Sequence, residues 1–447
     1  MKKRTLGAIA LAGISCAAIA VAILRLSRGP EPSYDLIARS DRERSSGEFL
    51  NAQRAAGYYL QEIKVHPSVV KNYVRLAQLF LQEARITGRH HEYVPKAIRL
   101  LDDALRISPE DMEANLTRAS TLMTLHQFAD ARAVAEREVA RNPYDAFAYG
   151  VLTDALVETG DYDRAVRMCD KMLSIRPDIR SYARASYLRE IHGDIDGAIA
   201  AMKDACDAGL SGQENRAWAL YILGMLHLEK GKPDTAGYIF RGILEERPDY
   251  AYAYSGLSRI EAAEGNSDTA ASLLARAAEI APEHLFLEQL SDLYGSTGRF
   301  SDAAGIARIA LASFAQHEKD GYNVDREEAL FCANQGINLQ EALARARRDY
   351  ERRPANIDAL DTYAWALYKT GNAKEAAPLI EEALRLGTHS SDMHYHAALI
   401  YKALGQTDRF SSHMREALRG RFWLNPLYCA DLDSQATVGG ALAANDR

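Results

Sequence analysis

The sequence predicts an all-α fold, a solenoid of about ten helical hairpins preceded by an N-terminal apolar helix. Three observations predict it: apolar residues recur at helical spacing, the pattern returns about every 34 residues, and glycines and prolines punctuate each repeat at fixed places. Residues 217–248 (AWALYILGMLHLEKGKPDTAGYIFRGILEERP) show one unit in full. Leu220, Leu223, Gly224 and His227 share one face of a first helix; Ala236, Phe240 and Ile243 share one face of a second. Two helices this short cannot bury that face alone, so each pair must stack on neighbours of its own kind.

Units begin near Val70, Met112, Ala146, Ile179, Ala217, Ala251, His284, Asn323, Ile357 and Ser391. Glycines such as Gly160, Gly193 and Gly371 fall where first helices end, a place for a left-handed cap. Prolines at 109, 143, 177, 248, 282 and 354 end second helices, because the ring cannot continue them. Extra residues near 85–94, 209–215 and 316–322 interrupt the period and read as loops on an edge of the solenoid. In order, the chain divides into a signal anchor, transmembrane helix or signal peptide (1–26), a linker (27–46), an N-terminal helix (47–69), the array (70–425) and a flexible tail (426–447).

The unit resembles the tetratricopeptide repeat. Leu220-x2-Leu223-Gly224-x2-His227, Ala236-x3-Phe240-x2-Ile243 and Pro248 follow most of that family's pattern. The resemblance covers residues 70–425 and implies a right-handed superhelix of tetratricopeptide-like hairpins that binds proteins or peptides. Residues 181–194 (SYARASYLREIHGD) and 323–338 (NVDREEALFCANQGIN) are also similar to segments of bacterial repeat proteins with N-terminal export signals.

A chain of 447 residues would ordinarily form several domains. A linear array escapes that count, because no single core grows with length. Net charge is −7, and residues 1–28 hold Lys2, Lys3, Arg4, Arg25 and Arg28 with no acid, so the remainder carries −12 (−7 − 5). Such an acidic surface argues against nucleic acid as a partner. Residues 5–24 form an apolar run of twenty, long enough to span a bilayer. Two readings fit it: a retained membrane span with an extracytoplasmic (periplasmic) body, or a signal peptide cleaved near Ala20 or Ala22 that leaves a periplasmic or secreted protein.

The five cysteines, at 16, 169, 206, 332 and 429, include no CxxC pair, and Cys169 and Cys206 on apolar faces read as inert thiols. No phosphate loop, nucleophile elbow or HExxH is present, and His90-His91-Glu92 reads as a solvated loop. No catalytic, cofactor or metal set is expected, and the chain reads as a non-enzyme. The resemblance implies that positions 2, 5, 9 and 12 of each first helix face a concave groove. In that register the partner-binding candidates are Arg180, Tyr187, Trp218, Tyr221, Met225, Tyr252, Arg259, Trp365 and Tyr368. Glu190, Asp358, Asp361, Tyr395 and Lys402 share the wall, while the Lys and Asn of the family's carboxylate clamp are missing at the matched positions. The competing reading is that these aromatics pack on neighbouring helices or on an internal N-terminal segment.

The function expected is a protein-interaction scaffold or adaptor, membrane-anchored or exported, in assembly of an envelope complex. Two alternatives stand beside it: a regulator that sequesters a membrane enzyme or sensor, and an enzyme acting on envelope polymers through Glu190, Asp154 or Asp292. Partner identity and oligomeric state are not legible.

Overall fold

In a computed structural model the described residues are 34–39 and 47–438, with side chains described as far as 432. The chain divides into two units, residues 1–37 and 38–447. Of the first, residues 34–37 are described, without helix or strand. The expected span at 5–24 lies outside the described residues, and among those described no helix is long and apolar enough to cross a membrane.

The second unit is all helical among the described residues. It opens with α1 (Gly47–Val65). Hairpins 1 to 5 are α2 (Val70–Thr87) with α3 (His90–Ile107), α4 (Met112–Thr124) with α5 (Phe128–Arg141), α6 (Ala146–Glu158) with α7 (Tyr162–Ile175), α8 (Ile179–Ile191) with α9 (Ile195–Ala208), and α10 (Glu214–Glu229) with α11 (Pro233–Glu246). Hairpins 6 to 10 are α12 (Ala251–Ala263) with α13 (Ser267–Ile280), α14 (His284–Ser296) with α15 (Phe300–Lys319), α16 (Asp325–Gln335) with α17 (Leu339–Arg352), α18 (Ile357–Lys369) with α19 (Ala373–Ala383), and α20 (Ser391–Ala403) with α21 (Thr407–Arg419). Last comes α22 (Pro426–Val438).

Eight of the ten first helices start on the residue that the spacing indicates; Glu214 and Asp325 are the exceptions. Three expectations are corrected. Of the extra residues near 316–322, residues 316–319 continue α15 as helix. The extra residues near 85–94 form no loop: they lengthen α2 and α3, which meet at a tight turn on Gly88 (φ 65°), and His90 opens α3. Residues 426–438 are helix rather than flexible tail, and Tyr428 is buried.

Each hairpin closes on small residues. Ala131, Ala165, Ala198, Ala236, Ala270 and Ala376 have no exposure, so second helices approach first helices at van der Waals distance. At hairpins 5 and 6 the fit is tightest, because the Phe240 ring sits between Gly224 of α10 and Gly256 of α12. A methyl on either glycine would overlap that ring. Between the helices of hairpin 2 the left-handed position is held by His126 (φ 57°), not glycine. Its imidazole Nδ1 lies 2.9 Å from the Asn323 carbonyl, a contact that helps hold a conformation unusual for a side chain with a Cβ.

That contact is one of a series joining parts of the array 195 to 199 residues apart. Arg353 donates to Glu158 at 2.6 Å, Asn356 Nδ2 to the Val157 carbonyl at 3.2 Å, and the Ile357 amide to Tyr162 Oη at 2.9 Å. Farther along, Gly193 abuts the Gly387 carbonyl. The turn inside hairpins 2, 3 and 4 thus touches the connection five to six units later, and successive turns of the coil meet along a seam where these polar contacts flank an apolar cluster that joins Ile357 and Met393 to Leu156, Val157 and Ile191.

Gly256→Ala should lower stability by about 1–3 kcal/mol through overpacking against Phe240, read as a lower thermal midpoint. Gly242→Ala, where no atom lies within 4 Å of the added methyl, should raise stability by up to about 1 kcal/mol from helix propensity alone. Equal effects at the two sites would refute the wedged ring.

Candidate functional site

The first helices place their candidates on one wall, but the structure sorts them into three states. Arg180, Tyr187 and Trp218 are exposed, the last two at 39% and 38%. Arg180 and Tyr187 lie seven residues apart on α8, hence on one face. Trp218 lies in the second turn of the neighbouring first helix, α10. Arg180 makes no side-chain hydrogen bond or ion pair among the described residues, whereas Arg184 one turn on is tied to Asp154.

Four candidates serve packing instead. Tyr221 and Met225 are buried, Tyr221 at 5.3 Å from the half-buried Tyr252 ring, whose hydroxyl donates to Glu283 at 2.7 Å. Trp365 is buried against His396, with ring centroids 4.1 Å apart. These rings offer little or no free surface, because adjacent first helices approach closely enough to interlock them. This packing matches the competing reading of the aromatics, and most of the N-terminal segment lies outside the described residues. A C-terminal segment also takes part: Arg259 donates to the Trp423 carbonyl at 2.6 Å and stands over the Trp423 ring at 5.8 Å.

The later part of the wall keeps a cavity of about 580 Å³ between α16, α18 and α20. Tyr368, Lys369, Leu399, Lys402, Leu427 and Asp431 line it, so Tyr368 and Lys402 lie where the register puts them. Lys369 and Asn334 were not singled out: Lys369 sits one position past the expected inward face, whereas Asn334 falls on position 12 of the unit that starts at Asn323 and could have been read from the register. Lys369 Nζ stands 5.3 Å from the Trp365 ring centre, and burial holds its ammonium below the usual lysine range.

Carboxyls on the wall are electrostatically strained. Burial, with the nearby carboxylates of Glu229 and Asp358, pushes Glu190 up to about 8. Burial alone pushes Glu229 up to about 7. Asp292 also rises to about 7 through burial, although Asn425 and Gln335 both donate to it. No group of three or more His, Cys, Asp or Glu among the described residues could hold a metal ion. Burial pushes Cys169, Cys206 and Cys332 up to about 12, which leaves them poor nucleophiles.

Family models for tetratricopeptide repeats match residues 91–146, 116–178, 182–251 and 227–290. The chain carries tetratricopeptide repeats. Cellulose synthase operon protein C of Pseudomonas fluorescens (strain SBW25) is 26% identical over 305 residues, 63% of this chain and 23% of that protein. The chain therefore matches less than a quarter of that relative's length. Among solved structures, a thermophilic tetratricopeptide protein of Thermus thermophilus is 23% identical over 40% of this chain and 92% of its own, with a TM-score of 0.35. Yeast Tom70 is 16% identical over 89% of this chain and 96% of its own, with a TM-score of 0.34. Tetratricopeptide arrays generally mediate protein–protein interaction through concave surfaces.

A carboxyl whose folded pKa lies above its unfolded one stabilises fully below the unfolded value and loses that contribution as pH rises through the folded value. For Glu190 the window runs from 4.5 to about 8. Glu190→Gln should therefore match the parent near pH 4.5 and exceed its thermal midpoint increasingly up to pH 8. A midpoint difference that stays flat across that range would show that Glu190 titrates normally.

Proposed function

We propose that this protein is a non-enzymatic interaction scaffold that docks a partner protein on the inner wall of hairpins 4 and 5. The observation that carries the reading is the exposed set of Arg180, Tyr187 and Trp218 on adjacent first helices, beside Arg184, which is already paired with Asp154. Aromatic rings and arginine give binding energy when a partner desolvates them. An uncompensated guanidinium favours a partner segment that brings a carboxylate. The likeness to a protein named for a cellulose synthase operon supports a setting in the cell envelope, as does the apolar run at 5–24. In that setting the body would be anchored or exported, and its partners would belong to an envelope complex.

A second reading has one observation in its favour. Glu190 and Glu229 are neighbouring carboxyls raised to about 8 and about 7, the kind of pair that acid–base chemistry uses. Of the other two carboxylates considered for catalysis, Asp154 is bound by Arg184 and Asp292 by Asn425 and Gln335. Hydrolysis of cell-wall or exopolysaccharide fragments that disappears in Glu190→Gln would establish the enzyme.

Replacing Tyr187 and Trp218 together by alanine should reduce capture of crosslinked partners in native membranes by at least tenfold, equivalent to about 1.4 kcal/mol or more. Both side chains are partly exposed, so the thermal midpoint should change little. If the double variant retains its partners undiminished, the docking face lies elsewhere.

A further inference from the structure

After hairpin 10 the chain does not continue the stack outward. Residues 421–432 turn back along the inner wall, and α22 packs chiefly on α14 of hairpin 7. There the segment is held by polar groups from four different hairpins. Arg259 donates to the Trp423 carbonyl, Asp292 accepts from Asn425 at 2.6 Å, and Asn334 accepts from Tyr428 at 2.5 Å. His396 Nε2 lies 2.7 Å from the same Tyr428 hydroxyl, Tyr395 donates to Asp431 at 2.7 Å, and Asp392 accepts from the Asn425 amide at 3.1 Å. Tyr428 also stacks on Tyr395 with ring centroids 4.2 Å apart.

These are the contacts by which a concave helical surface holds a foreign peptide helix: aromatic anchors in the middle and side-chain hydrogen bonds along the length. A terminal cap needs only apolar cover for the last hairpin. It has no use for Arg259 or Asp292, which lie four and three hairpins away from α20. Asn425-Pro426 fixes the helix start, with Pro426 as the first helical residue. Beside the segment the 580 Å³ cavity remains, and Lys369 on its wall makes no ion pair or hydrogen bond among the described residues.

We propose that residues 421–432 are a self-ligand occupying a docking groove on hairpins 6 to 10. The groove's partner is a short helix of another protein that carries an aromatic residue, an Asn-Pro start and a tyrosine at the spacing of Trp423, Asn425 and Tyr428. It binds by displacing the chain's own copy, and an acidic residue on it meets Lys369 in the cavity. This site is separate from the face at Arg180, Tyr187 and Trp218, and either can fail without the other.

The test uses the full chain. Asn425→Ala with Tyr428→Ala removes the anchors of the resident segment, and the probe is a fluorescent synthetic peptide of residues 420–438. The peptide should bind the double variant at least tenfold more tightly than the parent, and a peptide with alanine for Trp423, Asn425 and Tyr428 should bind neither. Circular dichroism should show the array of the variant still melting cooperatively. In the parent, hydrogen exchange should open the amides of 426–438 before those of α14 and α18. A folded variant that ignores the peptide overturns the proposal, and so does equal affinity for parent and variant. Loss of the array in the variant, or exchange of 426–438 only on global unfolding, would make the segment a structural element and reject displacement. A parent dimer that the double substitution abolishes would assign the groove to a second copy instead.

Discussion

A two-helix unit has one apolar face and no means of covering it, and every later feature of residues 47–438 depends on that constraint. Stacking covers the face, and stacking at close range requires small residues where helices cross. Alanines without any exposure in successive second helices meet that requirement. Between hairpins 5 and 6 the requirement becomes a steric lock, with two glycines admitting a single Phe240 ring. Because each interface involves only neighbours, stability in such arrays is close to a sum of local terms. The non-local terms therefore stand out.

Those terms are mixed. Where one turn of the coil meets the next, hydrogen bonds and ion pairs such as Arg353 with Glu158 and Ile357 with Tyr162 flank an apolar cluster that joins Ile357 and Met393 to Leu156, Val157 and Ile191. A hydrogen bond between folded parts replaces bonds to water and returns only about 0.5–1.5 kcal/mol net. The seam therefore draws also on the apolar area it buries. It also brings the first helices of hairpins 4 and 5 near those of hairpin 9, so Glu190 lies close to Asp358 as well as Glu229. Burial is the chief cause of the raised carboxyls on the wall, with Asp358 across the seam adding to it at Glu190, and these shifts tie the stability of the array to pH.

Legibility in the sequence followed the same division. Nearest-neighbour structure was readable, because it depends on periods within a unit: helix starts at Val70, Met112 or Ile357 came directly from spacing. Long-range placement was not. The register offered Tyr221, Met225 and Trp365 as groove residues, and it could not reveal that they are buried. His90 looked like part of a loop because added residues look alike whether they lengthen helices or separate them. Tyr428 was hidden in a stretch of small polar residues without a helical apolar period, since its burial is supplied by α16, α18 and α20 rather than by its own helix.

Tethering decides what an occupied groove can do. A segment joined to its site by a short linker competes at an effective concentration near the millimolar range. A free partner with identical contacts would lose to it at cellular concentrations. Displacement therefore requires contacts the resident segment does not make, and the cavity beside Lys369 is a place for them. A carboxylate brought there would meet the half-buried ammonium of Lys369 and add to the attraction that Asp431 of the resident segment already exerts. Burial that lowers the affinity of Lys369 for its proton is reversed when an anion arrives, so the lysine should be more firmly protonated in the complex than in the resting chain. The same residue thus supplies both the energetic advantage of a partner over the chain's own helix and a proton-linked signature of its arrival.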